Sequence, residues 1–389
     1  MLPAAPIEGR AFHTAVWTGT EMILWGGASR GKLFGDGAAY DPAADSWRVL
    51  PEGPLAGRTG HTAVWTGEEM IVWGGCCERL GEEFGDGATY DPAADVWRLL
   101  SPASVSPRRD HTAVWTGRDM IVWGGTVFDE AFADGAIYSP RRDRWSRLSA
   151  APVVGRSSHS AVWSGQQMLV WGGATLEPAT LSDGAAFGPG WSRISSSRPG
   201  RSGHAAVWSG TEMLIWGGCC DGTGRELPGG AAYEPTSDTW RELPESGLAP
   251  RAGQVALSTH GRMLIWGGVG GERRFADGAV YEFVGRTWAP LPGAPLDPRA
   301  GAAGVSTGEL FVVWGGCCNA EQRAFSDGAT LNLEPAVFAP QSDDPHPRAE
   351  PLDPNDADFG IGAMIAFAGL VLLIALVAAG RALRKRAAR

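Results

Sequence analysis

Short apolar runs recur along the chain at a nearly constant distance. Each run is five to seven residues long, is rich in Val, Ile, Trp and Tyr, and is bounded by Gly, Pro or Asp. Runs of this length and composition predict β-strands, because β-branched and aromatic side chains suit a pleated surface and the bounding residues favour turns. Four runs make one unit, and the clearest copy spans residues 58–97.

A Trp-Gly-Gly triplet ends the second run of every unit. Successive triplets lie 45 to 50 residues apart, which is the mark of a repeat architecture. Four antiparallel strands cannot bury both of their faces alone, so the units are expected to stack around an axis as a closed, all-β, seven-bladed propeller. The triplets end at Gly27, Gly75, Gly125, Gly173, Gly218, Gly268 and Gly316.

Two further aromatic positions repeat with the triplet. A Tyr precedes a Trp by seven residues in five units, as at Tyr90 and Trp97, and the last unit keeps this spacing with Leu331 and Phe338. The fourth unit is shortened, with Phe187 followed by Trp191. All 18 Trp residues occupy repeat positions, which indicates that they build the repeat and are not scattered binding aromatics.

The Gly doublet, the Tyr and Trp that follow it, and the period near 50 resemble the kelch repeat. The resemblance covers residues 2–340. The residue pattern of the first two strands, Arg-x-x-His-Thr-Ala-Val-Trp and then Met-Ile-Val-Trp-Gly-Gly, is similar to kelch repeats of bacterial surface and secreted proteins. It implies a propeller that binds peptides or other ligands on one loop face. The same fold also carries carbohydrate-active enzymes, so a sialic acid mutarotase-like activity is the alternative. Galactose oxidase activity is not expected, because all five Tyr are repeat residues.

The C-terminal part has a different character. Residues 341–358 are rich in Pro and Asp and predict an extended linker. Residues 359–380 carry no charge and are long enough to cross a bilayer as one helix. The basic tail, residues 381–389, holds five Arg and Lys and is expected to lie in the cytoplasm by the positive-inside rule. The propeller is then expected outside the cytoplasm.

The N-terminal part allows two interpretations. Residues 1–6 lack the basic and apolar regions of a signal peptide, so either an upstream export signal is missing or the protein is tail-anchored with a cytoplasmic propeller. The charge rule favours the first interpretation, and so does the match of Leu2-Pro3 to Leu50-Pro51, which begin just after a Trp strand. Each unit ends with its own strand, so no exchange of the N-terminus into the last blade is expected.

The six cysteines form three adjacent pairs, each directly after a Gly doublet. These loops have ten residues, whereas the equivalent loops of the other units have eight or nine. In an exported domain the pairs are expected to form disulfides between neighbours; free or redox-active thiols and a metal site are the alternatives. The pairs are Cys76 with Cys77, Cys219 with Cys220 and Cys317 with Cys318.

An Arg opens every unit and is expected on the same face as the cysteine loops. A ring of Arg near the channel is suited to a carboxylate or sulfate, but a repeated Arg with a repeated Asp more often braces one blade to the next than binds a ligand. The arginines are Arg10, Arg58, Arg108, Arg156, Arg201, Arg251 and Arg299. The Asp repeats in six units and is replaced by Gly229 in the fifth. Five units carry a His three residues after the Arg, for which structural packing is expected over a metal ring.

Charge and motifs narrow the function. Residues 1–380 hold 28 Lys and Arg against 43 Asp and Glu, a net charge of −15 that argues against nucleic acid as a partner. No nucleophile elbow, phosphate loop or zinc helix is present, and no cofactor or metal is predicted. The sequence therefore predicts a membrane-anchored binding or scaffold module for a protein or an anionic or glycan ligand. Glu226, Glu272 and Glu321 are the nearest candidates for a catalytic carboxylate under the enzyme alternative.

Overall fold

The computed structural model describes residues 1–76, 82–175, 180–196, 199–220, 224–318 and 323–333. Within these residues, seven antiparallel sheets stand around a central axis, so the predicted seven-bladed propeller is confirmed. The first strands are innermost, and each neighbours the first strands of the adjacent blades. Six sheets have four strands, and the seventh has three among the described residues.

The strands of each blade follow one another in space as they do along the chain. The first strands are Thr14–Trp17, Thr62–Trp65, Thr112–Trp115, Ser160–Trp163, Ala205–Trp208, Val255–Thr259 and Ala303–Ser306. The second strands are Met22–Trp25, Met70–Trp73, Met120–Trp123, Met168–Trp171, Met213–Trp216, Arg262–Trp266 and Leu310–Trp314. The third strands are Gly37–Asp41, Gly87–Asp91, Gly135–Ser139, Gly184–Phe187, Gly230–Glu234, Gly278–Glu282 and Gly328–Asn332. The fourth strands are Ser46–Val49, Val96–Leu99, Arg144–Arg147, Trp191–Ile194, Thr239–Glu242 and Thr287–Pro290.

Short hairpins and one 3-10 turn supplement these strands. Three of the loops between second and third strands contain a two-residue hairpin that the sequence did not reveal: Ala28–Ser29 with Lys32–Leu33, Thr126–Val127 with Glu130–Ala131, and Val269–Gly270 with Arg273–Arg274. A single 3-10 turn, Pro140–Arg142, joins the last two strands of the third blade within the described residues.

The core lies between blades rather than within them. In the second strand of the first blade, Ile23 and Trp25 pack toward the second blade, whereas Met22 and Leu24 pack toward the seventh. All four residues are buried because successive side chains of a strand point to opposite faces of the sheet. A continuous apolar second strand is therefore what a blade with neighbours on both sides requires.

The Gly doublet turns the chain at the end of the second strand. Gly26 and Gly27 adopt φ values of 75° and 94°, a region that other residues rarely enter. A Cβ at Gly26 would lie 2.5 Å from Cε1 of His61 in the next blade, so the position has no space for a side chain. The doublet thus serves both the turn and the contact between blades.

Ring closure differs from the expectation of no exchange at the N-terminus. The backbone N–H of Leu2 donates to the carbonyl of Gly328, 2.9 Å away, as Leu50 donates to Gly37 at 3.0 Å in the first blade. Leu2 therefore extends the outer edge of the seventh blade and packs with Trp314 in the core between blades seven and one. The match of Leu2-Pro3 to Leu50-Pro51 marks this structural equivalence.

Several predictions concern residues outside the described part of the chain. These are the outer strand around Phe338, the linker 341–358, the apolar helix 359–380 and the basic tail 381–389. Among the described residues, no helix has the length and hydrophobicity needed to span a membrane.

Candidate functional site

The loop face is the side of the ring that carries the entry arginines, the Gly-Gly turns and the loops between second and third strands. Arg58 shows how the arginines are held there. Its guanidinium donates to Asp86 Oδ1 at 2.7 Å and Oδ2 at 3.2 Å and to the Gly74 carbonyl at 3.1 Å. Its Nε donates to the Ala56 carbonyl at 2.9 Å, and the group stacks 4.1 Å from the centre of the Phe84 ring.

The same ion pair recurs in six units, with N–O distances of 2.6 to 2.8 Å and Arg side chains that have no exposed area. The pairs are Arg10–Asp36, Arg58–Asp86, Arg108–Asp134, Arg156–Asp183, Arg251–Asp277 and Arg299–Asp327. In the fifth unit, Arg201 donates to the carbonyls of Gly217 and Gly229 at 2.9 and 3.2 Å. Each guanidinium therefore ties the start of a unit to its Gly-Gly turn.

This geometry supports the structural role of the arginines over an anion-binding ring, but the Arg–Asp pairs lie within one unit and do not brace one blade to the next. A buried guanidinium that already bonds a carboxylate and backbone carbonyls has little capacity left for a ligand. The groups that reach solvent at these positions are the carboxylates, since the Asp side chains are 31 to 58 % exposed. Burial alone would raise the pKa of Asp36, but the hydrogen bonds and charge of Arg10 lower it below the ordinary value.

The repeated histidines join neighbouring blades. His61 Nε2 lies 3.0 Å from Thr14 Oγ1 of the preceding blade, and the ring meets Trp25 edge-on with centroids 5.2 Å apart. The same arrangement holds for His111, His159 and His204. Burial, with the charge of Arg58, lowers the pKa of His61 to about 3, so the ring is neutral at physiological pH. These contacts match the predicted packing role.

The cysteine pairs lie on the loop face, next to the entry strands. Cys76, Cys219 and Cys317 form β-bridges to the residue that follows the entry Arg of the same unit. The structure joins Cys219 to Cys220 and Cys317 to Cys318, and the Cys220 carbonyl accepts a hydrogen bond from Thr180 of the preceding unit at 3.0 Å. Cys77 lies outside the described residues. The first cysteine of each pair therefore lies beside the entry segment of its own unit.

A cavity of ≈ 280 Å³ opens at the mouth of the central channel on the loop face. Its wall comes from the two residues that precede the first strands of blades two to five. Backbone bonds hold this rim in place, because Asp110 N–H donates to Gly60 at 2.9 Å and Gly203 N–H donates to Ser158 at 2.9 Å. The wall residues are Gly60, His61, Asp110, His111, Ser158, His159, Gly203 and His204.

One charged cluster at this mouth escaped the sequence analysis. Arg109 Nη1 donates to Asp110 Oδ2 at 2.7 Å, and its Nε lies 3.4 Å from Oε1 of Glu83, whose side chain has no exposed area. Burial raises the pKa of Asp110 despite the charge of Arg109. The sequence signal for this cluster is that Glu83 departs from the repeat, because other units place Leu33, Ala131 or Ala324 at its position.

Of the three carboxylates considered under the enzyme alternative, two lie among the described residues, on neighbouring loops. Glu226 accepts the N–H of Gly271 at 3.1 Å, Glu272 is exposed on a hairpin tip, and Glu321 lies outside the described residues. Groups of three or more metal-ligating side chains are absent from the described part of the chain.

The sequence matches the KLHDC2/KLHL20/DRC7 Kelch-repeats domain over residues 3–173 and 190–349. The match covers well over half of the chain, and the chain belongs to this kelch-repeat family. Kelch propellers are typically protein-binding modules. Comparison with curated proteins found no match.

Because the repeated histidines are buried and neutral, we expect the free energy of unfolding to fall on mild acidification. Histidine has a pKa of about 6.5 in an unfolded chain, whereas four of these residues have a pKa of about 3 in the fold. Between these values the unfolded state binds protons that the folded state does not, so the free energy of unfolding should fall as pH falls below about 6.5. The urea midpoint measured from pH 8 to pH 5 checks this.

The sixth unit supplies a matched control. Gln254 replaces the histidine there and donates its amide to the Trp216 carbonyl at 3.1 Å. His61→Gln should therefore fold and should show a shallower decline of the midpoint between pH 7 and pH 5. Carboxylates with lowered pKa values, such as Asp36, change the free energy of unfolding only at lower pH. A midpoint that stays constant over this window in the natural chain would contradict the assignment of neutral, buried histidines.

Proposed function

We propose that this protein is a membrane-anchored kelch propeller that acts as a non-catalytic, protein-binding scaffold through its loop face. The propeller lies outside the cytoplasm in this proposal, with the apolar segment 359–380 as its anchor and the basic tail 381–389 on the cytoplasmic side. Family membership supports protein binding, while the uncharged segment and its basic flank support the anchor.

The observation that carries the choice of face is the contrast between the two sides of the ring. On the side opposite the loop face, the turns between first and second strands repeat one design in six of the seven units, in which a Ser or Thr hydroxyl accepts the N–H three residues later. On the loop face, the loops between second and third strands differ in length and in charge, and only some of them contain a short hairpin or a cysteine pair. Binding residues concentrate in variable loops held by a rigid scaffold.

A photo-cross-linking residue placed on each side tests the choice of face. Phe128 is exposed on a loop-face hairpin tip, and Glu68 is exposed in a turn on the opposite side. With the full chain in cells that make it, a benzoylphenylalanine at position 128 should give a discrete adduct with a partner protein. The same residue at position 68 is the matched control and should give none. Adducts from position 68 alone would reverse the assignment of the face.

Cysteine labelling in intact cells tests the compartment. A membrane-impermeant maleimide, applied with and without prior reduction, is read by mass on the three cysteine pairs. Labelling only after reduction is the expected result, because an oxidising exterior keeps the pairs as disulfides. Lysed cells serve as the positive control. Labelling that needs lysis but no reductant would put the propeller in the cytoplasm with free thiols and overturn this topology.

A further inference from the structure

An exposed aromatic side chain stands at the tip of the hairpin in the third blade. Phe128 is 57 % exposed, and it is the only Phe, Trp or Tyr among the described residues that is more than half exposed. Val127 pairs with Glu130, so Phe128 and Asp129 form a two-residue turn. Aromatic side chains are frequent anchors of protein–protein interfaces, but single exposed apolar residues are also common on surfaces. The setting of Phe128 therefore decides whether it has a role.

The backbone at Phe128 favours a different residue. Its φ is 38°, in the left-handed region. A two-residue hairpin turn requires a positive φ at its first position, where Gly, Asn or Asp is preferred because a bulky side chain is strained. The hairpin of the sixth blade has Gly271 at the equivalent position, with φ 58°. Local stability therefore does not account for an aromatic residue at this turn, and such departures from a local rule concentrate at functional positions.

The preceding blade holds the tip of this hairpin. The Phe128 N–H donates to Glu83 Oε1 at 3.3 Å, and Arg109 Nε lies 3.4 Å from the same oxygen. The Glu83 side chain has no exposed area, so this acceptor is fixed. Gly271 donates in the same way to Glu226 of its preceding blade, at 3.1 Å. The contact thus positions a hairpin tip, and in the third blade it presents Phe128 on a fixed backbone, which reduces the entropy lost when a partner binds.

A second exposed apolar side chain borders the same hairpin. Val154 is 55 % exposed in the connector to the fourth blade. The adjoining Gly155 packs directly on the hairpin, because a Cβ there would lie 2.1 Å from the Ala131 carbonyl oxygen. Asp129 and Glu130 are exposed at the tip and bring negative charge. These four exposed residues form the hairpin patch: Phe128, Asp129, Glu130 and Val154.

We propose that the hairpin patch anchors a partner protein on the loop face, with Phe128 inserted into an apolar pocket of the partner that has a basic rim. The apolar pocket matches Phe128 and Val154, and the basic rim is the charge complement of Asp129 and Glu130. The proposal rests on the protein-binding role proposed above for the loop face, and it is independent of membrane attachment.

Replacement of Phe128 by Gly tests the anchor, because binding and stability should respond in opposite ways. The full chain with benzoylphenylalanine at position 82, an exposed residue beside Glu83, is cross-linked in cells that make it. The protein in the adduct is identified by mass spectrometry and titrated against the purified full-length chain. Phe128→Gly should weaken its affinity by about tenfold or more, as expected for an aromatic anchor. The urea midpoint should stay equal or rise, since Gly suits the left-handed turn.

Two further variants test the specificity of this effect. Val284 is 96 % exposed in the turn between the third and fourth strands of the sixth blade, on the side opposite the loop face. Val284→Ser removes this apolar surface as a matched control and should leave the affinity unchanged. Glu130→Gln should weaken binding several-fold at low salt, with a difference that shrinks as the salt concentration rises. Equal affinities of Glu130→Gln and the natural chain at low salt would reject the basic rim.

The remaining outcomes separate the anchor from the scaffold function. Natural affinity in Phe128→Gly would reject the anchor and retain the binding role of the loop face. Weaker binding together with a lower urea midpoint would also reject the anchor, because Phe128 would then serve the fold. Absence of any adduct from position 82 and from position 128 would overturn both the binding role of the loop face and the anchor.

Discussion

The buried guanidinium of the entry arginine is the interaction on which each unit depends. A single side chain such as Arg58 bonds the end of the connector, the Gly-Gly turn and the Asp86 carboxylate, and it stacks on an aromatic ring. Arginine is suited to this role because its donors diverge in a fixed plane and its charge persists when it is buried. The arrangement fixes the turn that leads into the third strand. The Asp86 carboxylate neutralises the positive charge that would otherwise be open to an anionic ligand.

Contacts between blades then join the seven sheets, none of which can bury both faces alone, into one body. Residues of the second strands alternate between the two neighbouring cores. Each repeated histidine contacts a Trp of the preceding blade, and four of the five also reach a hydroxyl there. Leu2 completes the seam between blades seven and one. A ring held this evenly leaves its loop face to vary without loss of the core, and that freedom accounts for the unit-specific cysteine pairs and for the charged cluster around Arg109.

The periodic part of this architecture was predictable from the sequence, because each unit repeats the same strand lengths and turn residues. The shared face of Arg58 and the Cys76 loop followed from antiparallel connectivity alone. Burial of the arginines did not follow, since the sequence shows an Arg and an Asp but not the closed cage around them. The cluster of Glu83, Arg109 and Asp110 was missed for a related reason. Its members belong to different units and meet only because the propeller places the loop of one blade beside the entry of the next.

A double-mutant cycle on Arg58 and Asp86 tests most directly that these arginines serve the fold. Arg58→Met, Asp86→Asn and the double variant are compared by urea unfolding of the intact chain. The account predicts that Arg58→Met costs about 3 kcal/mol, as expected for a broken buried ion pair. It also predicts a coupling energy of about 1 kcal/mol, reduced because Asp86 is half exposed. Strictly additive effects, with Arg58→Met as stable as the natural protein, would contradict it and return the arginines to the list of ligand-binding candidates.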